Sequence, residues 1–102
     1  MDTKDKLVVK VDKDLEDITP GYLENRRKDL AALPLALAEN QFEAIKMIGH
    51  RMKGSGAGYG FQAISDLGTR IERAANSQDQ DEIRACVTQL EDYLSRIEVE
   101  YQ

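Results

Sequence analysis

The sequence predicts an all-α protein, an antiparallel up-down four-helix bundle with a short N-terminal arm. Apolar residues recur in steps of three and four through four successive segments, the breaks between them are short, and no segment carries a sustained alternation of apolar and polar residues. Short breaks between amphipathic helices make neighbours run antiparallel, which leads to the up-down arrangement. A chain of 102 residues suits one domain with one core. The expected division is an arm over residues 1–18, packed on or near the bundle, and the helical domain over 19–102.

Leu7-Val8-Val9-Lys10-Val11 is the one stretch with strand-like composition. With no second strand in view to pair with it, it reads as an extended arm or a short cover over the bundle. Thr19-Pro20 announces the first helix, a good N-cap followed by proline at the first helical position. That helix runs through Leu23, Leu30, Leu33 and Leu37, with Pro34 expected to kink or interrupt it. Asn40 is a plausible cap for the second helix, whose stripe is Phe42, Ile45, Gly49, Met52, Gly56 and Tyr59. Gly54, Gly56, Gly58 and Gly60 weaken its end, and Gly60 is a reasonable terminator. The third helix carries Phe61, Ile64, Leu67, Ile71 and Ala74 on one side, and Asn76-Ser77-Gln78-Asp79 breaks it. The fourth shows the cleanest spacing, with Ile83, Val87, Leu90, Leu94, Ile97 and Tyr101 forming the seam of a packed bundle.

Composition excludes several classes of function. A net charge of -5 argues against nucleic acid, whose phosphate backbone calls for clustered Lys and Arg. The longest apolar run, Leu30 to Ala38, is broken by Pro34 and falls short of the ~20 residues of a membrane span. No apolar stretch follows a basic start, so no secretory signal is visible. One cysteine, Cys86, and one histidine, His50, make a protein-only zinc site improbable, since such sites take three or four N or S ligands. Cys86, read as a half-buried inert thiol, has no partner for an intrachain disulfide, which fits a reducing cytosol. The Walker and dinucleotide glycine patterns are absent.

Charge is unevenly spread. Between Gln41 and Gly60 the charged residues are Glu43, Lys46, Arg51 and Lys53, a net-positive segment, whereas the chain from Asp79 onward is strongly acidic. A local basic patch on an acidic protein suggests a confined anionic target.

The chemistry lies in His50-Arg51-Met52-Lys53-Gly54-Ser55-Gly56-Ala57-Gly58-Tyr59-Gly60-Phe61. On a helix, positions 46, 50, 53, 54 and 57 share one side, and at about 100° per residue His50 falls roughly 130° from the centre of the apolar stripe. His50 is therefore expected on an exposed ridge between Lys46 and Lys53, with Gly54 one turn on and Ala57 beyond. A neutral imidazole nitrogen is a competent nucleophile. Flanking lysines favour the neutral ring and would neutralise phosphoryl oxygens once a group is attached. Gly54 removes the side chain that would stand between His50 and an incoming surface. The bland readings are that a lone surface histidine is only a solvated side chain, that Lys46 and Lys53 are an ordinary wet helix face, and that the glycines mark a loop.

The run His50-x-x-Lys53-Gly54-Ser55, followed by Gly60 and Phe61-x-x-Ile64, resembles the signature of histidine-containing phosphotransfer domains. Leu23-x-x-Arg26-Arg27-x-x-Leu30, Ile71-Glu72-x-Ala74-Ala75 and Leu90-x-x-Tyr93-Leu94 look like further family positions, so the resemblance covers about Asp14 to Ile97. It implies a phosphorelay intermediate that accepts a phosphoryl group on His50 from a receiver-domain aspartate and passes it to another receiver. Lys53 would steady the group, Gly54 would give clearance, and Lys46, Arg51, Ala57 and Glu72 would face the partner. Met52 stands where Leu is common. Glu72 occupies a position where some relatives carry Gln near the active histidine, and its role is open. The implied carrier is no autonomous enzyme. It has no ATP site and no cofactor of its own, with Mg²⁺ supplied by the receiver. Its partners would be response-regulator receivers and a hybrid histidine kinase, and it would work as a cytoplasmic monomer. The alternative is a helical docking module that binds receivers without becoming phosphorylated. A histidine-nucleophile enzyme is disfavoured, because no second catalytic group accompanies His50.

Overall fold

The computed structural model describes residues 5–102. Strand β1 (Leu7–Val11) and a 3₁₀ turn (Lys13–Leu15) precede α1 (Thr19–Ala38) and α2 (Phe42–Ser55). A second 3₁₀ turn (Ala57–Tyr59), α3 (Gln62–Asn76), α4 (Gln80–Arg96) and strand β2 (Ile97–Tyr101) complete the chain. The four helices form the antiparallel up-down bundle the periodicity predicts, α1 packing on α2 and α4, and α3 on α2 and α4. Leu33, Ile45, Met52, Ile64, Ile71, Ile83 and Leu90 are fully buried on the facing sides, and each such side chain contributes about 1.5–3 kcal/mol of transfer free energy. At one end of the bundle the Asn40 side-chain oxygen accepts a hydrogen bond from Gln80 (3.1 Å), tying the α1–α2 turn to the start of α4.

Element boundaries depart from expectation in instructive places. Thr19 does not cap α1 from outside. It lies within the first turn, and its fully buried hydroxyl donates to the Leu15 carbonyl at 2.8 Å. Pro34 does not interrupt α1, because it sits on the exposed side, where the hydrogen bond it cannot make is lost to water. Asn40 takes a left-handed conformation (φ 54°) and ends the turn, leaving Gln41 to precede α2. Asp79 caps α4, its carboxylate accepting from the Glu82 amide at 3.1 Å. Cys86 is fully rather than half buried, and burial pushes its thiol pKa up.

The larger correction is at the C-terminus. The fourth helix stops at Arg96, and Ile97–Tyr101 supplies the second strand that the sequence reading lacked. β2 pairs in parallel with β1, Leu7 opposite Ile97 and Val11 opposite Tyr101. Positions 97 and 101 suit a helical seam and a strand face equally; Val99 breaks the tie. With Ile97, Val99 and Tyr101 inward and Glu98 and Glu100 outward, the segment alternates with period two and is rich in strand-favouring residues. The ribbon is fastened beyond its ladder. The Gln102 amide donates to the Val11 carbonyl, the Lys13 amide donates to the Gln102 carbonyl (both 3.0 Å), and Arg96 Nε donates to the Asp5 carbonyl (2.7 Å). The N-terminal arm is thus a strand joined to the domain. Val11, 1% exposed, belongs to the core and rests against Gly60.

Candidate functional site

The site begins with two glycines. A Cβ on Gly49 of α2 would stand 2.7 Å from the Glu72 amide nitrogen and 2.9 Å from the Gly68 carbonyl oxygen. A Cβ on Gly68 of α3 would stand 2.6 Å from the Gly49 carbonyl oxygen. Neither position admits a side chain while the helices keep this separation, so backbone meets backbone here. The close approach carries Glu72, one turn beyond Gly68, to the residue that follows Gly49.

That residue is His50. Its Nδ1 lies 2.9 Å from Glu72 Oε2, and Lys53 Nζ donates to Glu72 Oε1 at 3.0 Å. Glu72 is 17% exposed, whereas the His50 side chain is 68% exposed. The Lys53 hydrogen bond first, and the His50 hydrogen bond second, hold the Glu72 carboxyl below its ordinary pKa against the opposing effect of burial. An ionised carboxylate only accepts, so Nδ1 is the donor and carries the hydrogen. Nε2, the other ring nitrogen, then lies on the side of the ring away from Glu72.

Around the ring runs a groove of about 320 Å³ lined by Glu43, Lys46, Met47, His50 and Glu72. Lys46 is half-buried in its wall, and Met47 is an exposed apolar side chain (61%) one turn before His50. On the other side Gly54 is open, since a Cβ there would meet no atom within 4 Å. A larger cleft, about 550 Å³, opens between α3 and α4, but its one cation, Arg70, is already committed to Glu82 at 3.0 Å and Gln89 at 2.8 Å.

The other residues singled out from the sequence are placed less uniformly. Arg51 turns toward α1, 3.9 Å from Asp29, rather than into the His50 groove. Ala57 does not continue the ridge, because α2 ends at Ser55; it lies exposed in the 3₁₀ turn that follows. Met52 is fully buried in the core. Gly60 ends the 3₁₀ turn with φ 95°, a left-handed conformation that glycine adopts without the Cβ penalty.

Three supporting residues, Ser65, Tyr22 and Asp29, carried no sequence signal strong enough to find. Ser65 of α3 donates to the Lys53 carbonyl (3.0 Å) and accepts from the Ala57 amide (2.8 Å), closing the frayed end of α2. Ser55 donates to the Arg51 carbonyl at 2.8 Å, so the Tyr22 hydroxyl, 2.9 Å away, must donate to Ser55. Arg26 lies over the Tyr22 ring (4.6 Å) and pairs with buried Asp29 at 2.9 Å, while Tyr22 stacks on Tyr59 with centroids 4.0 Å apart. Helix α1 thereby grips the final turn of α2 and the 3₁₀ turn beyond.

Among the described residues no group of three or more His, Cys, Asp and Glu side chains is placed to hold a metal ion, and no helix is long and apolar enough to cross a membrane. The site is thus a four-helix bundle with one outward imidazole, His50, an ammonium, Lys53, tied to the same carboxylate, and a bare glycine, Gly54, one turn on. The model of the Hpt domain matches residues 21–100, and the chain belongs to that family of histidine phosphotransfer domains. Membership implies histidine phosphotransfer within a phosphorelay, by a phosphocarrier that interacts with receiver domains and kinases of two-component systems. No curated protein and no solved structure matches the chain. The match begins after β1, at residue 21.

Proposed function

We propose that this chain is a phosphorelay intermediate in which His50 Nε2 accepts a phosphoryl group from a receiver-domain aspartyl phosphate and passes it to the aspartate of another receiver. The observation that carries this reading is the 2.9 Å contact between His50 Nδ1 and the Glu72 carboxylate on a ring that is two-thirds exposed. It sets the tautomer and aims the free lone pair outward, as an in-line attack requires. Such transfer depends on positioning and charge neutralisation more than on acid–base groups.

Lys53 is the residue proposed to steady the attached group. Its ammonium reaches Glu72 in the unloaded state and is 46% exposed, so it has freedom to turn toward phosphoryl oxygens, where a charge-assisted hydrogen bond is strong. Lys46, one turn before His50 on α2, adds positive potential from the wall of the groove. Gly54 leaves room for the receiver's surface, and Met47 offers it an apolar contact. The receiver brings Mg²⁺ and both reacting carboxylates, and this chain binds no cofactor of its own. A cytoplasmic location follows from those partners.

The test is incubation with phosphorylated receiver domains from the same organism. Acid-labile, alkali-stable label should appear on the wild-type chain and vanish in His50→Gln with the circular dichroism spectrum retained. Label on the variant, or none on the wild type with any receiver, removes the reading.

A further inference from the structure

We propose that Ser65 is a positioning residue for phosphotransfer: its hydroxyl, inserted into the last turn of α2, fixes the direction in which Lys53 meets a phosphoryl group on His50. This deepens the carrier reading and rests on it.

An α-helix closes each turn with a bond from an amide to the carbonyl four residues back. At the end of α2 the pattern still holds at Gly56, whose amide donates to the Met52 carbonyl at 3.0 Å. The next bond would run from the Ala57 amide to the Lys53 carbonyl. Ser65 of α3 takes its place, accepting from the Ala57 amide at 2.8 Å and donating to the Lys53 carbonyl at 3.0 Å. A side chain inserted in this way opens the ladder and bends the chain. Here the chain leaves α2 for the 3₁₀ turn Ala57–Tyr59. Ser65 is 6% exposed, so water has little access to its hydroxyl. Gly56 makes the room, since a Cβ there would stand 2.8 Å from Ser65 Oγ and 2.8 Å from the Phe61 carbonyl oxygen.

Lys53 is the residue held by this arrangement. Helix α3 meets it at three points, and Ser65, Gly68 and Glu72, spaced by three and four, share one side of that helix. Gly68 lies against the Lys53 amide nitrogen, where a Cβ would have no space. Ser65 binds the Lys53 carbonyl. Glu72 accepts from the Lys53 ammonium at 3.0 Å. The Lys53 backbone is thus fixed on both sides of its Cα, and its side chain leaves toward the carboxylate that His50 also touches, at 2.9 Å.

A long, flexible side chain meets a reacting group productively only when its root is placed. A misplacement of about 1 Å can slow a reaction by about a hundredfold. Without the Ser65 hydroxyl, the Ala57 amide and the Lys53 carbonyl must turn to each other or to water, and either choice moves the Lys53 peptide.

A phosphorylated receiver domain from the same organism, used with the full chain, tests this. The Ala57 amide should exchange with deuterium about tenfold faster or more in Ser65→Ala than in the wild type. At saturating receiver the transfer rate of Ser65→Ala should fall about tenfold, and the receiver concentration giving half the maximal rate should change by less than about twofold. On a Lys53→Ala background the same substitution should slow transfer by less than about twofold, because its effect passes through Lys53. Equal slowing on both backgrounds, a change confined to half-saturation, or an unchanged rate overturns the proposal. If Ser65→Ala loses the circular dichroism spectrum, the same comparison with Ser65→Cys decides, since a thiol keeps the volume and bonds weakly. A wild-type chain that takes no label from any receiver overturns this and the carrier reading together. Normal transfer by the wild type beside an unaffected variant overturns only the role of Ser65.

Discussion

Gly49 and Gly68 face each other across the α2–α3 interface so closely that a methyl group on Gly68 would come within 2.6 Å of the Gly49 carbonyl oxygen. This contact sets the helix separation, and the separation sets the reach of Glu72 to His50. Glycine in a helix interior costs up to ~1 kcal/mol relative to alanine. The fold therefore accepts this cost twice at one level of the bundle to bring a carboxylate and an imidazole together.

Alanine at either position should be destabilising, in spite of its better helix propensity. Because the obstructing atoms are backbone, Gly68→Ala should lose about 1–3 kcal/mol as the helices shift apart. Urea denaturation measures the loss. The His50–Glu72 hydrogen bond should weaken with it, visible as a change in the ¹⁵N signature of the ring.

Gly54→Ala provides the opposite case. A Cβ there meets nothing, so the substitution should stabilise the isolated chain by about 0.5–1 kcal/mol while slowing transfer from a phosphorylated receiver. Stability from denaturation and transfer rate from label kinetics should move in opposite directions.

Lys53→Ala should leave circular dichroism and the denaturation midpoint nearly unchanged, because the ammonium is partly exposed and paired at the surface. Transfer should slow or the loaded form become short-lived. A large loss of helicity would make Lys53 a structural residue.

Glu72 links stability to pH with a definite sign. Its carboxyl is held below the ordinary value by Lys53 and then His50. The stability it contributes is therefore fully present above the unfolded carboxyl value near ~4.3 and lost as pH falls through the lowered folded value. The unfolding midpoints of wild type and Glu72→Gln should be furthest apart near neutrality and converge at acid pH. Convergence in the alkaline direction instead would contradict the assignment.

Asp29→Ala should be among the most disruptive single changes on α1. Arg26 and Asp29 are both more than nine-tenths buried and pair at 2.9 Å, and removing one partner of such a pair costs about 3–5 kcal/mol. Thermal unfolding measures it, and replacing both residues with apolar ones should recover much of the loss.

The four helices were legible because amphipathic spacing reports burial directly, and His50, Lys53 and Gly54 were legible because they fall outside the apolar stripe within a run of twelve residues. Glu72 was legible only through the family resemblance, since whether α3 turned it toward His50 depended on Gly68, whose role is visible only when two helices are packed. Ser65, Tyr22 and Asp29 were hidden for the same reason: each acts across an interface between segments distant in sequence. The C-terminal strand was misread because Leu90, Leu94, Ile97 and Tyr101 satisfy a helical period, and only Val99 argues otherwise. Parallel pairing of segments separated by residues 12–96 leaves no local turn signal to correct that reading.

The parallel ribbon also has a mechanical consequence. Leu7 and Ile97 lie side by side at one end, and Val11 and Tyr101 at the other, so the chain enters the ribbon at the end opposite to the one from which it departs. Tension applied through the two ends would pull the strands lengthwise past each other and load the ladder hydrogen bonds together, in shear, rather than peeling them one at a time. A tether or neighbouring module attached at either end would thus strain the ribbon first, before any force reached the helices that hold His50.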